Sequence, residues 1–154
     1  MHQSLADIEI RKADLHDIPA LCSLLKLLFS IEEDFHFDEQ SQQQGLKLII
    51  ESNSSCILVA ELKGRVIGMC SGQQTISTAE GGPALLVEDV VVVKEWQGKG
   101  VGTLLMNNLN NWAKKLGIKR MQLLADKANN SALQFYQKNG WQSTQLTCLR
   151  KYTD

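Results

Sequence analysis

Between Gln97 and Thr103 the chain reads Gln-Gly-Lys-Gly-Val-Gly-Thr. Three glycines in five positions leave a backbone with few side chains on it. At the start of a helix the first N–H groups have no intrahelical partner, and the helix dipole adds roughly half a positive charge there. Such an end is a ready site for phosphate, and glycine lets a ligand approach the backbone closely. Three phosphate patterns are in question. The P-loop needs Gly-x-x-x-x-Gly-Lys-Ser/Thr, which no window supplies. The dinucleotide fingerprint needs Gly-x-Gly-x-x-Gly; Gly98 and Gly100 fit, but the last position is Thr103. The third is Gln/Arg-x-x-Gly-x-Gly, which Gln97, Gly100 and Gly102 match. An ordinary glycine-rich turn is the plain alternative.

Other residues with chemical potential lie on either side. Glu88 and Asp89 interrupt the most apolar run, Ala84 to Val93. Carboxylates inside such a run are expensive to bury without a partner. Strand alternation points the two to opposite faces, unless a bulge changes the register. The stretch from Glu32 to Glu39 holds five acids and two aromatics. It reads either as a solvated loop or as a loop that attracts a cationic substrate and packs Phe35 or Phe37 on it. Phe29, Glu33 and Phe35 are the substrate-binding candidates there, beside Glu88. Gly68-Met69-Cys70-Ser71-Gly72 has the outline of a nucleophile elbow, but an elbow needs a helix after it. Gln73 to Thr78 continues as strand instead. His2, His16 and His36 have no metal spacing and no HExxH is present, so no metal is expected. His36 is within reach of an acceptor site.

A chain of 154 residues predicts one domain, residues 1–154, with a real core. A net charge of −1 argues against a broad nucleic-acid or anionic-membrane surface. No apolar run approaches the ~20 residues of a membrane span. Cys22, Cys56, Cys70 and Cys148 are far apart and sit in apolar segments, which predicts buried, reduced thiols. These features together predict a soluble cytoplasmic protein.

The elements that must position these residues follow from periodicity. Ile8 to Arg11 alternates as a first strand. Asp14 and Asp17 cap a helix with Pro19 in its first turn, whose apolar face holds Ile18, Leu21, Cys22, Leu25, Leu28 and Phe29. A second helix runs from Ser41 to about Ser52. Cys56–Leu62 and Arg65 to about Thr78 are strands around a two-residue turn at Lys63-Gly64. Ala84–Val93 is the central strand. The glycine loop opens a helix through Val101, Leu104, Leu105, Leu109, Trp112 and Leu116, ended by Gly117. Lys119–Ala125 is a strand, Asn129 or Asn130 caps a short helix to Asn139, and Trp141–Tyr152, which alternates loosely, is the last strand or a hairpin arm. The helix between the Ala84–Val93 and Lys119–Ala125 strands allows a parallel crossover. The fold class is a mixed α/β sheet.

A second motif lies in that last helix. Asn129, Ala132, Phe135, Tyr136, Gly140 and Trp141 fall as Asn-x-x-Ala-x-x-Phe-Tyr-x-x-x-Gly-Trp. With Gln97-x-x-Gly100-x-Gly102, this resembles the paired signature of the GNAT-type N-acetyltransferases. Ile10-Arg11-Lys12-Ala13 to Asp17, and Val87-Glu88-Asp89-Val90, are similar to the same family, so the resemblance covers essentially the whole chain. Gln97 departs from the commoner arginine, and Val91 to Val93 is plainer than the family's usual aromatic-containing run.

The resemblance implies an α/β (α+β) fold with a mixed, mostly antiparallel sheet of six to seven strands and about four helices. The central strands would splay to admit acetyl-CoA. The pantetheine arm would pair with the backbone of Val90, Val91 and Val92. The pyrophosphate would lie on the amides of Gly98, Lys99, Gly100, Val101, Gly102 and Thr103. Asn129, with Ala132 and Phe135 on its helix, would hold the pantetheine, and Tyr136 would lie near the sulfur. Homodimers are common in the family.

The implied reaction moves an acetyl group from acetyl-CoA to a primary amine in a ternary complex. An ammonium, with a pKa of about 10, must first lose a proton to a base. Glu88 is the first candidate, with Asp89 or a water chain as alternatives. A free N–H near Val90 or Val91 would stabilise the oxyanion. Tyr136 would return a proton to the thiolate. The acids point to a cationic small molecule; a protein N-terminus or lysine is a second acceptor class. A non-catalytic acyl-CoA-binding or sensing domain is the alternative function.

Overall fold

A computed structural model describes residues 3–32 and 34–154; His2 and Glu33 lie outside the described residues. The chain forms two compact units that divide between Leu123 and Leu124.

The first unit is a five-stranded sheet in the order β1-β2-β3-β4-β5. Its strands are β1 (Ile8–Lys12), β2 (Ser55–Leu62), β3 (Arg65–Ser77), β4 (Gly82–Val92) and β5 (Met121–Leu123). The first four pair antiparallel, and β4 pairs parallel with β5. The helices are α1 (Ile18–Ile31), α2 (Glu39–Glu51) and α3 (Val101–Lys115). Asp14 stops the chain after β1 by accepting from the His16 N–H at 2.8 Å, and Pro19 then fits the first turn of α1.

Two faces of the sheet are covered. Leu21, Leu24 and Leu25 of α1 and Leu46 of α2 pack on Ile57, Val59, Met69 and Val91. On the other face α3 buries Val101, Leu105, Met106, Leu109 and Ala113. Arg11 ties this unit together. Its guanidinium donates to Asp17 at 2.8 and 2.9 Å and to Glu61 at 3.2 Å. Among the described residues no helix is long and apolar enough to cross a membrane.

The second unit contains α4 (Asn130–Lys138). The Asn129 side chain accepts from the Ala132 N–H at 3.1 Å and so caps the helix. Residues 141–154 form no helix or strand.

Two sequence expectations are corrected here. The sheet has five strands rather than six to seven, because Trp141–Tyr152 does not join one and Lys119–Ala125 shortens to Met121–Leu123. Leu146, Leu149 and Tyr152 are 81%, 91% and 71% exposed. They are spaced by three residues, and a period of three cannot place them on one face of a strand. Cys148, in the same stretch, is exposed, while Cys22, Cys56 and Cys70 are buried as expected.

Candidate active site

The strand β4 breaks register with β3 at one step. Met69 faces Val91 and Ser71 faces Glu88, so Cys70 stands opposite two residues, Asp89 and Val90. This is a β-bulge, and Asp89 takes the left-handed conformation within it, with φ 54°. The bulge overturns the simple alternation expected for this strand. Cross-strand partners share a face, so Glu88, opposite Ser71 and through it Ile57, stands on the side covered by α1 and α2. Val91 stands on that side too, three positions later rather than two or four.

The two acids are in different surroundings. Glu88 is exposed; its carbonyl accepts from the Ser71 hydroxyl at 3.0 Å, and the Gln73 amide reaches its carboxylate at 3.5 Å. Asp89 is half-buried, and its carboxyl is pushed up to about 7, chiefly by burial and then by the negative charges of Glu88 and Glu32. Glu32 lies directly after α1, where Phe29 and Phe35 bring their rings to 5.9 Å. Phe29 packs against the core and Phe35 is 40% exposed.

Beyond the bulge the sheet opens. Pairing with β5 covers only Leu85, Leu86 and Val87. From Glu88 to Val92, β4 keeps β3 as its partner while β5 has ended. Val93 donates to the Ile67 carbonyl at 2.9 Å, so the alternation of an antiparallel ladder turns the N–H and C=O of Val92 to the side β5 has left. That carbonyl accepts from the Gln97 side-chain amide at 2.8 Å. Gln97 is thus a strap between the strand and the loop.

The loop then delivers α3. Lys99 sets its ammonium 5.2 Å from the centre of the Trp96 ring. Gly98 and Gly100 have φ 73° and 93°, which glycine alone adopts without strain. Gly100 is the N-cap and supplies no side-chain bond, so among the described residues the leading N–H groups of α3, from Val101 to Thr103, have no side-chain cap. A Cβ on Gly98 would have nothing within 4 Å. A phosphate group therefore finds both room and donors. Val101 contributes backbone only, since its side chain is buried in the core.

A scan against protein families matches the acetyltransferase (GNAT) family over residues 18–141. The chain belongs to that family. An N-acetyltransferase of Bacillus subtilis (strain 168), named YhfO and itself called uncharacterized, is 28% identical over 138 residues, which is 88% of this chain and 90% of the relative. A possible acetyltransferase from Clostridium difficile 630 has the same fold, with a TM-score of 0.84 and 22% identity over 96% of this chain and 98% of that one. So does the aminoglycoside N-acetyltransferase AAC(6′)-Iy, solved in complex with CoA, with a TM-score of 0.82 and 16% identity over 96% and 95% of the two chains. The GNAT enzymes are N-acetyltransferases, and this chain is one of them.

For a GNAT enzyme the remaining candidates fall as follows. In the second unit, Asn129 uses its side-chain oxygen as the cap of α4, and Ala132 supplies the N–H it accepts from. Tyr136 sits half-buried between Phe135 and Trp141, with ring centres 5.3 and 5.9 Å away in edge-on contacts. His16 and His36 are exposed, and no group of three or more metal-ligating side chains is assembled among the described residues. The Gly68–Gly72 stretch lies inside β3 and forms no elbow; Cys70 is fully buried and its thiol is pushed far up by that burial. The prominence of Asp89 was hidden by the alternation rule. Two successive acids in an apolar strand were the available signal for a bulge.

Proposed function

We propose that this chain transfers the acetyl group of acetyl-CoA to the primary amine of a cationic small molecule, by direct attack in a ternary complex. One observation carries the reading: a strand edge past the end of β5, from Glu88 to Val92, leads into a glycine loop whose helix-start amides have no side-chain cap among the described residues. Pantetheine would add along Val90–Val92, and pyrophosphate would sit at Gly98–Thr103. Lys99 adds a positive charge on that loop.

Acetyl-CoA supplies the activated acetyl group; the chain supplies positioning and proton handling. The acceptor amine loses its proton to Asp89, which the sequence offered as the alternative to Glu88. The half-buried, partly protonated carboxyl suits a base working near neutral pH. The C–N bond forms, the C–S bond breaks, Tyr136 gives its proton to the departing thiolate, and the surplus proton left on the acylated nitrogen restores the tyrosine. Glu32 and Glu88 favour an ammonium acceptor, and Phe29 with Phe35 offers it a ring surface. The aminoglycoside acceptor in the name of AAC(6′)-Iy is of this chemical type.

Thermal unfolding with acetyl-CoA, coenzyme A, NADH and ATP in parallel tests the cofactor. A ligand at 100 times its dissociation constant adds roughly 2.7 kcal/mol, so a shift with the two coenzyme A species alone supports the reading, and a shift only with NADH or ATP overturns it. An amine panel, including peptides with free N-termini and lysines, then reads coenzyme A release. Binding without any release would leave an acyl-CoA-binding or sensing domain.

A further inference from the structure

We propose that Leu5 is a positioning residue that sets the coenzyme A pyrophosphate loop by bracing Gly100. The inference rests on the coenzyme A reading above. Leu5 lies in a one-turn 3₁₀ helix, Leu5–Asp7, directly before β1. That turn is closed on itself. The Asp7 carboxylate accepts from the Ser4 N–H at 2.9 Å and from its hydroxyl at 3.4 Å, and the Asp7 N–H donates to the Ser4 carbonyl at 3.0 Å. The next residue, Ile8, is buried and pairs with Leu62 of β2. A side chain on this turn is therefore fastened to the edge of the sheet.

Leu5 points that rigidity at the loop. A Cβ built on Gly100 would stand 3.3 Å from Leu5 Cδ2 and 3.8 Å from Cδ1. The same construction on Gly98 meets nothing within 4 Å. So Gly98 is open on that side, while Gly100 meets a side chain. The other end of α3 is also held by the N-terminal segment, since the Lys12 ammonium lies 5.8 Å from the centre of the Trp112 ring. Of the two contacts, Leu5 is the one at the phosphate end.

The consequence follows from helix geometry. Gly100 is the N-cap, and its carbonyl takes a helical bond from the Leu104 N–H at 3.0 Å. Moving Gly100 moves the amides of Val101 to Thr103 with it. A braced loop meets the pyrophosphate already ordered; an unbraced one must be ordered on binding, which lowers affinity without touching the reacting atoms.

The test measures coenzyme A affinity by calorimetry, alongside steady-state kinetics, for the wild type, Leu5→Ala, Leu5→Met and Asp7→Asn. Leu5→Ala is expected to raise the coenzyme A Kd and the acetyl-CoA KM about tenfold, with kcat at saturating acetyl-CoA and the acceptor KM unchanged. Leu5→Met, which keeps the volume, should restore both to within about twofold. Asp7→Asn loosens the turn and should move both the same way by less. A merely structural role would move kcat, both KM values and the melting temperature together, and that pattern overturns the proposal. So does a Leu5→Ala enzyme with wild-type coenzyme A affinity. Should Leu5→Ala not fold, Asp7→Asn decides by the same two readouts. A wild type that binds no coenzyme A would overturn the parent reading, and its own arm of the experiment shows which of the two has failed.

Discussion

The Ser71 hydroxyl donates to the Glu88 carbonyl at 3.0 Å, across the step where β3 and β4 slip by one residue. Ser71 is fully buried, so this bond fastens the bulge from inside the sheet. Removing it in Ser71→Ala should cost about 1 kcal/mol of stability. It should also lower kcat by about tenfold, because the bulge sets the angle of the Asp89 carboxyl. Denaturant melts and steady-state rates check this; a variant with full kcat would show that the backbone alone holds the bulge.

Asp89 gives a signature in both rate and stability. Its carboxyl is raised from an ordinary 3.8 to about 7 by burial, Glu88 and Glu32. The folded state therefore keeps this proton where the unfolded state has lost it, and stability falls as pH rises from about 4 to about 7. Asp89→Asn escapes that loss. It should melt higher than the wild type at pH 8, show no advantage at pH 4, and lose about 10²-fold or more in kcat. The wild-type rate should rise with pH along a limb near 7 that the variant lacks. If Glu88→Gln instead removes the limb, the proton belongs to Glu88.

Much of this architecture is legible in the sequence. β1 to β4 and α1 to α3 are strongly periodic, and their ends carry Asp14, Pro19, Lys63-Gly64 and Gly117, each with a local reason to turn or stop the chain. The glycine loop was legible because glycine at a helix start has a physical meaning of its own. The bulge was not. Alternation assumes an unbroken ladder, and one extra residue reassigns every side chain beyond it. Leu5 was equally silent, since nothing in its neighbours says that the turn folds back on residue 100. Trp141–Tyr152 alternates only loosely, and the period of three in Leu146, Leu149 and Tyr152 is what a strand cannot use.

Gly100 answers to two constraints, a φ of 93° and a leucine against it. Gly100→Glu adds left-handed strain of about 1 kcal/mol or more and places a carboxylate beside the expected phosphate. Coenzyme A binding should vanish by calorimetry while the fold persists by circular dichroism.

Tyr136→Phe keeps the ring contacts with Phe135 and Trp141 and removes only the hydroxyl. Turnover should fall at least tenfold, with the acetyl-CoA dissociation constant little changed. Equal losses in both would remove the acid role from this residue.

Arg11 joins β1 and β2 to the start of α1 through Asp17 and Glu61. Arg11→Gln should destabilise by about 2 kcal/mol, since Asp17 is left as a buried acid without its cation. The bond from Arg11 holds the Asp17 carboxyl below its ordinary 3.8. A depressed acid stabilises above its unfolded pKa and loses that contribution as pH falls. The gap between variant and wild type should therefore narrow below pH 4 in melting experiments.

Cys70 faces the bulge from the neighbouring strand, fully buried and held in the thiol form. Its sulfur lies 4.0 Å from the Leu105 carbonyl of α3, inside the core. Burial makes this sulfur mute, in keeping with the direct transfer proposed above. Incubated with acetyl-CoA and isotopically labelled coenzyme A, but no amine, the enzyme should scramble no label between the two.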